Sequence, residues 1–457
     1  MHDLELDSDD LHTPTYAARS FSHDVPKYRL PKHGMSADAA YQLVHDELNL
    51  DGNPALNLAS FVTSWMEPQA DRIATETLNK NLIDQDEYPQ TEAVHERVVS
   101  MIGRLFHAPA GERPTGTATI GSSEAIMLAM LAHKRSWQLR RRAAGQSTDS
   151  PNMVMGADVH TCWEKFARYF EVEARIAPMA EGRYTIGAEQ VQPLIDENTI
   201  AVAGVLGTTF TGQADDFASI DALLGRLESE RGLYVPLHID AASGGFVAPF
   251  SQPELQWDFR LPRVRSINVS NHKFGLVYPG MGTVVFRSHS DLPDELVFHI
   301  NYLGGDMPNY SLNFSRPSGS VVLQYYNFLR LGQEGYREIV ANTLANAQAL
   351  ARKLGDVEGL QLLNDGSAFP IVALRATDPE RTDLTLLSHL LREHGWIVPA
   401  YTLPPDAEHI TVLRMVVKEN FSRDMADMLA HDLRAAVRTL HAGPASRARR
   451  ARTRPHC

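Results

Sequence analysis

Cysteine is almost missing from this chain of 457 residues, which holds only Cys162 and Cys457. Two thiols cannot build a disulfide framework and their spacing fits no zinc motif, so a reducing cytoplasm is the expected setting and no metal is expected. Long apolar runs are missing too. None approaches the roughly 18 residues that a membrane-spanning helix needs. The opening Met1-His2-Asp3-Leu4-Glu5-Leu6-Asp7 has neither the basic nor the apolar stretch of a secretory signal. The expected protein is therefore neither exported nor inserted in a membrane. Basic charge is in short supply: 43 Lys and Arg face 56 Asp and Glu, for a net charge of −13. Nucleic acid as main partner would need a concentrated basic face and is excluded on that ground. The acidic excess promotes solubility.

What is present is ordinary for a globular enzyme, with 43% hydrophobic and 22% charged residues. The length calls for one large and one smaller domain. Apolar runs at Asn152–Gly156, Ile200–Leu206, Tyr234–Asp240, Ser266–Ser270 and Gly282–Arg287 read as buried strands, with Glu124–Ala144 and Asp216–Arg231 as intervening helices. That alternation predicts an α/β fold around a mainly parallel sheet. After Gln333 a long helix over Tyr336–Leu354 leads into shorter periodic segments that end with Arg423–Leu440. These read as a smaller α/β domain. Acidic residues crowd the start (Asp3, Glu5, Asp7, Asp9, Asp10) and arginines the end (Arg447, Arg449, Arg450, Arg452, Arg454), as in mobile, solvated termini. The expected division is an N-terminal segment over 1–58, a large domain over 59–340, a small domain over 341–441 and a basic flexible tail over 442–457.

The chemistry concentrates in three places. Ser270-Asn271-His272-Lys273-Phe274-Gly275 follows a short β-branched run, and Asp240 ends an earlier apolar strand in His238-Ile239-Asp240-Ala241-Ala242. Strand carboxyl ends are where open α/β sheets bind ligands. Gly121-Ser122-Ser123-Glu124 opens a helix, where hydroxyls and unpaired first-turn N–H groups favour an anion. Each alone has a plain structural explanation: a helix cap, a turn aspartate, a surface lysine. Together, in the order Ser-Ser, Asp, Lys, they match the needs of pyridoxal 5′-phosphate (PLP): an anion cup, a carboxylate for the ring nitrogen and an amine for the aldehyde. Ala242 is small enough to let a ring lie flat against it.

The sequence resembles the bacterial and plant glutamate decarboxylases, PLP-dependent decarboxylases of fold type I. The likeness runs from about Lys32 to about Leu440 and includes Asn57-Leu58-Ala59-Ser60-Phe61, Asp86-Glu87-Tyr88-Pro89-Gln90, Cys162-Trp163-Glu164-Lys165-Phe166-Ala167-Arg168-Tyr169, His238-Ile239-Asp240-Ala241-Ala242-Ser243-Gly244-Gly245-Phe246, His272-Lys273-Phe274-Gly275 and Asn313-Phe314-Ser315-Arg316-Pro317. It implies a large domain built on a mainly parallel, seven-stranded-type sheet and a smaller C-terminal domain, with an N-terminal segment that is helical where it docks on a partner. It also implies decarboxylation of L-glutamate to 4-aminobutanoate and carbon dioxide, which consumes a proton and suggests a role in acid resistance or glutamate catabolism. Lys273 would carry the cofactor, Asp240 would pair with its ring nitrogen and Thr209 would contact it. Ser122, Ser123 and His272 would hold its phosphate, with Ser315 reaching across from a neighbouring subunit. Ser60 and Phe61, with Asn81 and Asp84 of the partner chain, would bind the distal carboxylate of glutamate, and Arg414 the other carboxylate region. Such a shared site requires at least a homodimer, and the family tends to form hexamers.

Two positions depart from the family. His160 stands where glutamine often stacks over the ring, as histidine does in related decarboxylases, and Ser60 replaces a threonine usual in bacterial relatives. The end Pro455-His456-Cys457 resembles tails in which a penultimate histidine caps the active site at neutral pH. Plant members bind calmodulin through the tail, but the arginine-rich end here lacks apolar anchors of helical spacing and is a poor target. A decarboxylase of aspartate, cysteine sulfinate or an aromatic amino acid would keep every cofactor residue and change only the pocket around Ser60, Phe61 and Asn81. A PLP-fold scaffold that has lost catalysis is the alternative outside enzymes.

Overall fold

The computed structural model describes residues 25–111, 113–300 and 307–442. The acidic start, most of the basic tail and His456 lie outside the described residues. Residues up to Leu56 form one unit and those from Asn57 onward a second. Within the first, helix Ala37–Leu48 is capped by Ser36, whose Oγ accepts from Ala39 N at 3.3 Å. The site lies wholly in the second.

A seven-stranded sheet forms the frame of that second unit. Its strands are β1 (Thr115–Thr119), β2 (Asn152–Gly156), β3 (Glu173–Ala177), β4 (Thr199–Val205), β5 (Leu237–Asp240), β6 (Val264–Val269) and β7 (Gly282–Phe286), in the order β1-β7-β6-β5-β4-β2-β3. Only β7 runs against its neighbours, so the sheet is mainly parallel, as expected. β4 is Thr-Ile-Ala-Val-Ala-Gly-Val and is buried throughout, the signature of a strand covered on both faces. Helix Ser122–Ala143 crosses β4, β6 and β7 and buries Ala125, Ile126, Ala129 and Met130 against the sheet. Two strands escape the sequence reading for physical reasons. β1 is Thr-Gly-Thr-Ala-Thr, without an apolar run, and β3 is an edge strand with Glu173 and Ile176 exposed.

The C-terminal part builds a four-stranded antiparallel sheet from Leu360–Leu362, Ile371–Ala376, Thr411–Val416 and Ala400–Thr402. The stretch Gly319–Gly355 is two helices broken at Gly332, whose φ of 60° and ψ of −172° are non-helical; the second of them leads into the sheet and is the helix expected over Tyr336–Leu354. The expected line at 340/341 between the domains falls inside this helix, and the large and small domains remain a proposal with one sheet at the centre of each. Among the described residues no helix is long and apolar enough to cross a membrane.

Candidate active site

A cavity of about 520 Å³ opens at the carboxyl ends of β4, β5 and β6, where a parallel sheet leaves room between diverging connections. Ser122, Ser123, His160, Thr209, Asp240, Ala242, His272 and Lys273 all line it. Eight of the residues singled out in the sequence thus meet in one place.

Lys273 stands on a tight turn just after β6. The turn is closed by Lys273 N donating to Ser270 O at 3.1 Å and Leu276 N to Lys273 O at 3.1 Å. Gly275 is required there, since a Cβ would fall 2.4 Å from Asn271 O. Leu276 takes a left-handed φ of 64°, a strained conformation for a branched side chain, held by Asn327 Nδ2 donating to Leu276 O at 2.7 Å. From the other side Thr63 fastens the turn twice: Thr63 N donates to His272 O at 2.8 Å and Thr63 Oγ1 to Lys273 O at 2.6 Å. The Lys273 amine donates to Ser243 Oγ at 3.1 Å. Burial lowers its pKa from the ordinary lysine value, and the charge of nearby Arg414 adds to this while that of Asp240 opposes it. The result is a fixed amine with more of its neutral, nucleophilic form at neutral pH.

Asp240 is buried and accepts three hydrogen bonds. Its Oδ1 takes one from Asn268 Nδ2 at 2.9 Å and one from Ala242 N at 3.1 Å, and its Oδ2 one from Trp163 Nε1 at 2.9 Å. A carboxylate has about four acceptor positions, so one remains for a cationic N–H in the cavity. The sequence alone assigns no role to Trp163 or Asn268. Trp163 stands within a run that carries the family likeness, yet nothing in its type or spacing says that its ring N–H reaches a carboxylate on another strand.

The anion end is built where helix Ser122–Ala143 begins. Ser270 Oγ donates to Ser122 Oγ at 2.7 Å. Burial pushes His272 down to about 4, so its ring is neutral. Its Nδ1 faces Met281 N at 3.2 Å and must accept, which puts the ring proton on Nε2 as a free donor. His160 is likewise shifted down, first by burial and then by Lys273. Cys162 is inert, its thiol pushed up to about 12 by burial and Asp240.

Ser60, Phe61 and Arg414 are not among the residues that line the cavity, but the Phe61 ring stands close to both Lys273 and Arg414. Lys273 Nζ and the Arg414 guanidinium are each 4.9 Å from its centroid. Arg414 is buried, donates through Nη1 to Ala59 O at 2.8 Å and through Nε to Tyr401 Oη at 3.3 Å, and keeps donors in reserve. Ser60 Oγ accepts from Val62 N at 3.1 Å and shapes the segment that carries Phe61. Asn81, Asp84 and Ser315 do not line the cavity. They cluster elsewhere: Asn81 Nδ2 donates to Ser315 Oγ at 3.2 Å, and Asp84 N to Asn81 O at 3.2 Å.

Asp158 lines the cavity as well, and neither of its carboxyl oxygens has a hydrogen-bond partner among the described residues. Burial, then the charge of Asp215, raises its pKa well above the carboxylate range. Asp215 accepts from Ile186 N at 2.8 Å and Val205 N at 2.7 Å, so Asp158 is the protonated member of the pair. A carboxyl whose folded pKa exceeds its unfolded one contributes stability below the unfolded pKa, and that contribution is lost as pH rises through the folded pKa. Asp158→Asn, which carries no charge at any pH, is expected to be more stable than the parent by about 1–3 kcal/mol at pH 8 and by less at pH 5. Thermal melts at both pH values check this.

Residues 31–377 match the family described as the pyridoxal-dependent decarboxylase conserved domain. The chain belongs to the pyridoxal-dependent decarboxylases. It is 50% identical over 440 residues to a glutamate decarboxylase of Solanum lycopersicum, covering 96% of this chain and 88% of that one. It is 44% identical over 441 residues to a glutamate decarboxylase of Aliivibrio fischeri, covering 96% and 95%. A solved structure of Lactobacillus brevis glutamate decarboxylase superposes with a TM-score of 0.91 at 43% identity, covering 94% of this chain and 99% of that one. The fold is thus the fold type I of PLP enzymes, and PLP is the cofactor of this decarboxylase.

The residues present fit that cofactor. The cavity offers an amine, a carboxylate with an open acceptor position and an anion cup, and the cup is shaped for close approach. A Cβ on Gly282 would lie 2.5 Å from the Gly121 carbonyl carbon and 2.7 Å from Ser122 N, closer than any real contact. Gly282→Ala is therefore expected to push the helix start out of place and weaken PLP binding about 10–100-fold, read by equilibrium dialysis of the apoprotein.

Proposed function

We propose that this decarboxylase acts on L-glutamate, releasing carbon dioxide and 4-aminobutanoate and taking up one proton per turnover. The observation that carries this reading is the buried Arg414, whose guanidinium lies 4.9 Å from the Phe61 ring centroid, the same distance as the Lys273 amine, which sets one permanent cation within reach of the reacting amine, as suits an acidic amino acid. The glutamate decarboxylases it resembles over nearly its whole length support the same substrate.

Bound PLP supplies an aldehyde for the substrate amine and a cationic ring that withdraws the electrons left when carbon dioxide departs. The chain supplies the rest. Lys273 would hold the aldehyde between turnovers and, once displaced by the substrate amine, would stand beside Cα to deliver its proton. Asp240 would keep a negative charge at the ring nitrogen. Ser122, Ser123 and His272 would hold the phosphate, while Thr209, Ala242 and His160, which line the same cavity, would contact the ring. Arg414, with Ser60 and Phe61, would orient the substrate so that the bond to the departing carboxylate stands perpendicular to the ring. Asn81, Asp84 and Ser315 cluster away from their own cavity and would complete the cavity of a second subunit, in a dimer or a higher assembly such as a hexamer. Proton uptake suits a cytoplasmic role in resisting acid.

Carbon dioxide release by the purified, PLP-loaded protein tests the reading. Glutamate should be turned over at least about 100-fold faster than aspartate, cysteine sulfinate or an aromatic amino acid. Comparable or faster release from any of these would sink the assignment.

A further inference from the structure

Two buried histidines that do not line the cavity are joined to Asp240 by an unbroken chain of short hydrogen bonds. His133 Nε2 lies 2.6 Å from Ser266 Oγ, Ser266 Oγ 2.7 Å from His238 Nδ1, His238 Nε2 2.7 Å from Asn268 Oδ1, and Asn268 Nδ2 2.9 Å from Asp240 Oδ1. His133, His238, Ser266 and Asn268 are at most 4% exposed. The residues come from helix Ser122–Ala143, β5 and β6.

The chain has only one possible polarity. An ionised Asp240 can only accept, so Asn268 must turn its amide NH2 toward it and its carbonyl oxygen toward His238. That oxygen also accepts, which places a proton on His238 Nε2. Burial pushes His238 down to about 4, so its ring is neutral and Nδ1 must accept the Ser266 hydroxyl proton. With its one proton spent, Ser266 accepts from His133, whose neutral ring therefore carries its proton on Nε2; burial holds His133 well below the usual histidine range. Every donor in the chain points toward Asp240, and hydrogen bonds aligned head to tail polarise one another. Reversing any link would turn a donor against a donor or leave a buried group unpaired.

We propose that His133, Ser266 and His238 are positioning residues of this decarboxylase: through Asn268 they hold the Asp240 carboxylate oriented for the ring nitrogen of PLP. The proposal rests on the assignment of Asp240 to that nitrogen. It places a determinant of cofactor reactivity on residues that do not line the cavity, on the same sheet face as Asp240, and it explains why two histidines occupy the interior, where leucine would cost less desolvation.

Three variants test it in the PLP-loaded enzyme: His133→Leu, which removes the first donor; His133→Gln, whose amide can donate from about the same place; and Ser266→Ala, which cuts the chain by one oxygen atom. His133→Leu and Ser266→Ala are expected to lower kcat about tenfold with KM for glutamate unchanged. They should also weaken PLP binding to the apoprotein and shift the pH dependence of the bound cofactor's absorption band. His133→Gln is expected to restore the band and to bring kcat within about threefold of the parent. If His133→Leu does not fold, Ser266→Ala carries the test alone. Parental kcat, affinity and band in Ser266→Ala, alongside altered values in Asp240→Asn, would overturn the chain while leaving the Asp240 assignment intact. Parental affinity and band in Asp240→Asn would overturn that assignment and the proposal with it. Equal losses in His133→Leu and His133→Gln, with the band unmoved in both, would show plain packing and overturn the positioning role.

Discussion

Lys273→Ala is expected to leave the fold intact and to abolish turnover, with a fall in kcat of at least about 10⁴-fold. The Lys273 side chain reaches into a cavity, so its loss opens space without breaking the turn that carries it. That turn is held by backbone groups and by Thr63 and Asn327, none of which touches the amine. Lys273→Arg is expected to fail equally, since a guanidinium does not lose its proton at any working pH and cannot act as the nucleophile. Loss of the visible absorption of lysine-held PLP, with an unchanged far-UV circular dichroism spectrum, separates this result from unfolding.

Asp240→Asn is expected to lower kcat about 10³-fold, equivalent to about 4 kcal/mol. It removes the charge that would hold the ring nitrogen protonated and also disturbs what surrounds it. Trp163, Asn268 and Ala242 all donate to the carboxylate, and an asparagine NH2 must face at least one of them as donor against donor. That mismatch should cost about 1–3 kcal/mol of stability. Steady-state kinetics together with a denaturant melt measure both effects, and an unchanged kcat would remove Asp240 from the chemistry.

Much of the frame and most of the cavity were legible in the sequence because they depend on local signals. Apolar runs mark strands buried on both faces, and β2, β4, β5, β6 and β7 announce themselves that way; a lysine, an aspartate and a Ser-Ser pair in one order mark the cavity. What escaped depends on geometry across the sheet. Thr-Gly-Thr-Ala-Thr in β1 has no hydrophobic pattern, and β3 is an exposed edge. The stretch Gly319–Gly355 breaks at Gly332, where a left-handed glycine separates two helices; the second is legible from its apolar spacing and the first is not. Trp163 and Asn268 look like core residues until the fold brings their N–H groups to Asp240. Ser243 and Thr63 reach Lys273 from segments far away in the chain, a meeting that no spacing rule foretells.

The short stretch from Asn57 to Thr63 is tied to both sheets at once. Leu58 O accepts from Val416 N at 2.9 Å and Ala59 O from Arg414 at 2.8 Å, while Thr63 grips the lysine turn. One short segment therefore holds both the guanidinium, at Ala59, and the turn of the reacting amine, at Thr63, so a change of length between those two residues would strain one hold or the other. Placement of the substrate-facing arginine and placement of the cofactor lysine are thus mechanically linked through seven consecutive residues.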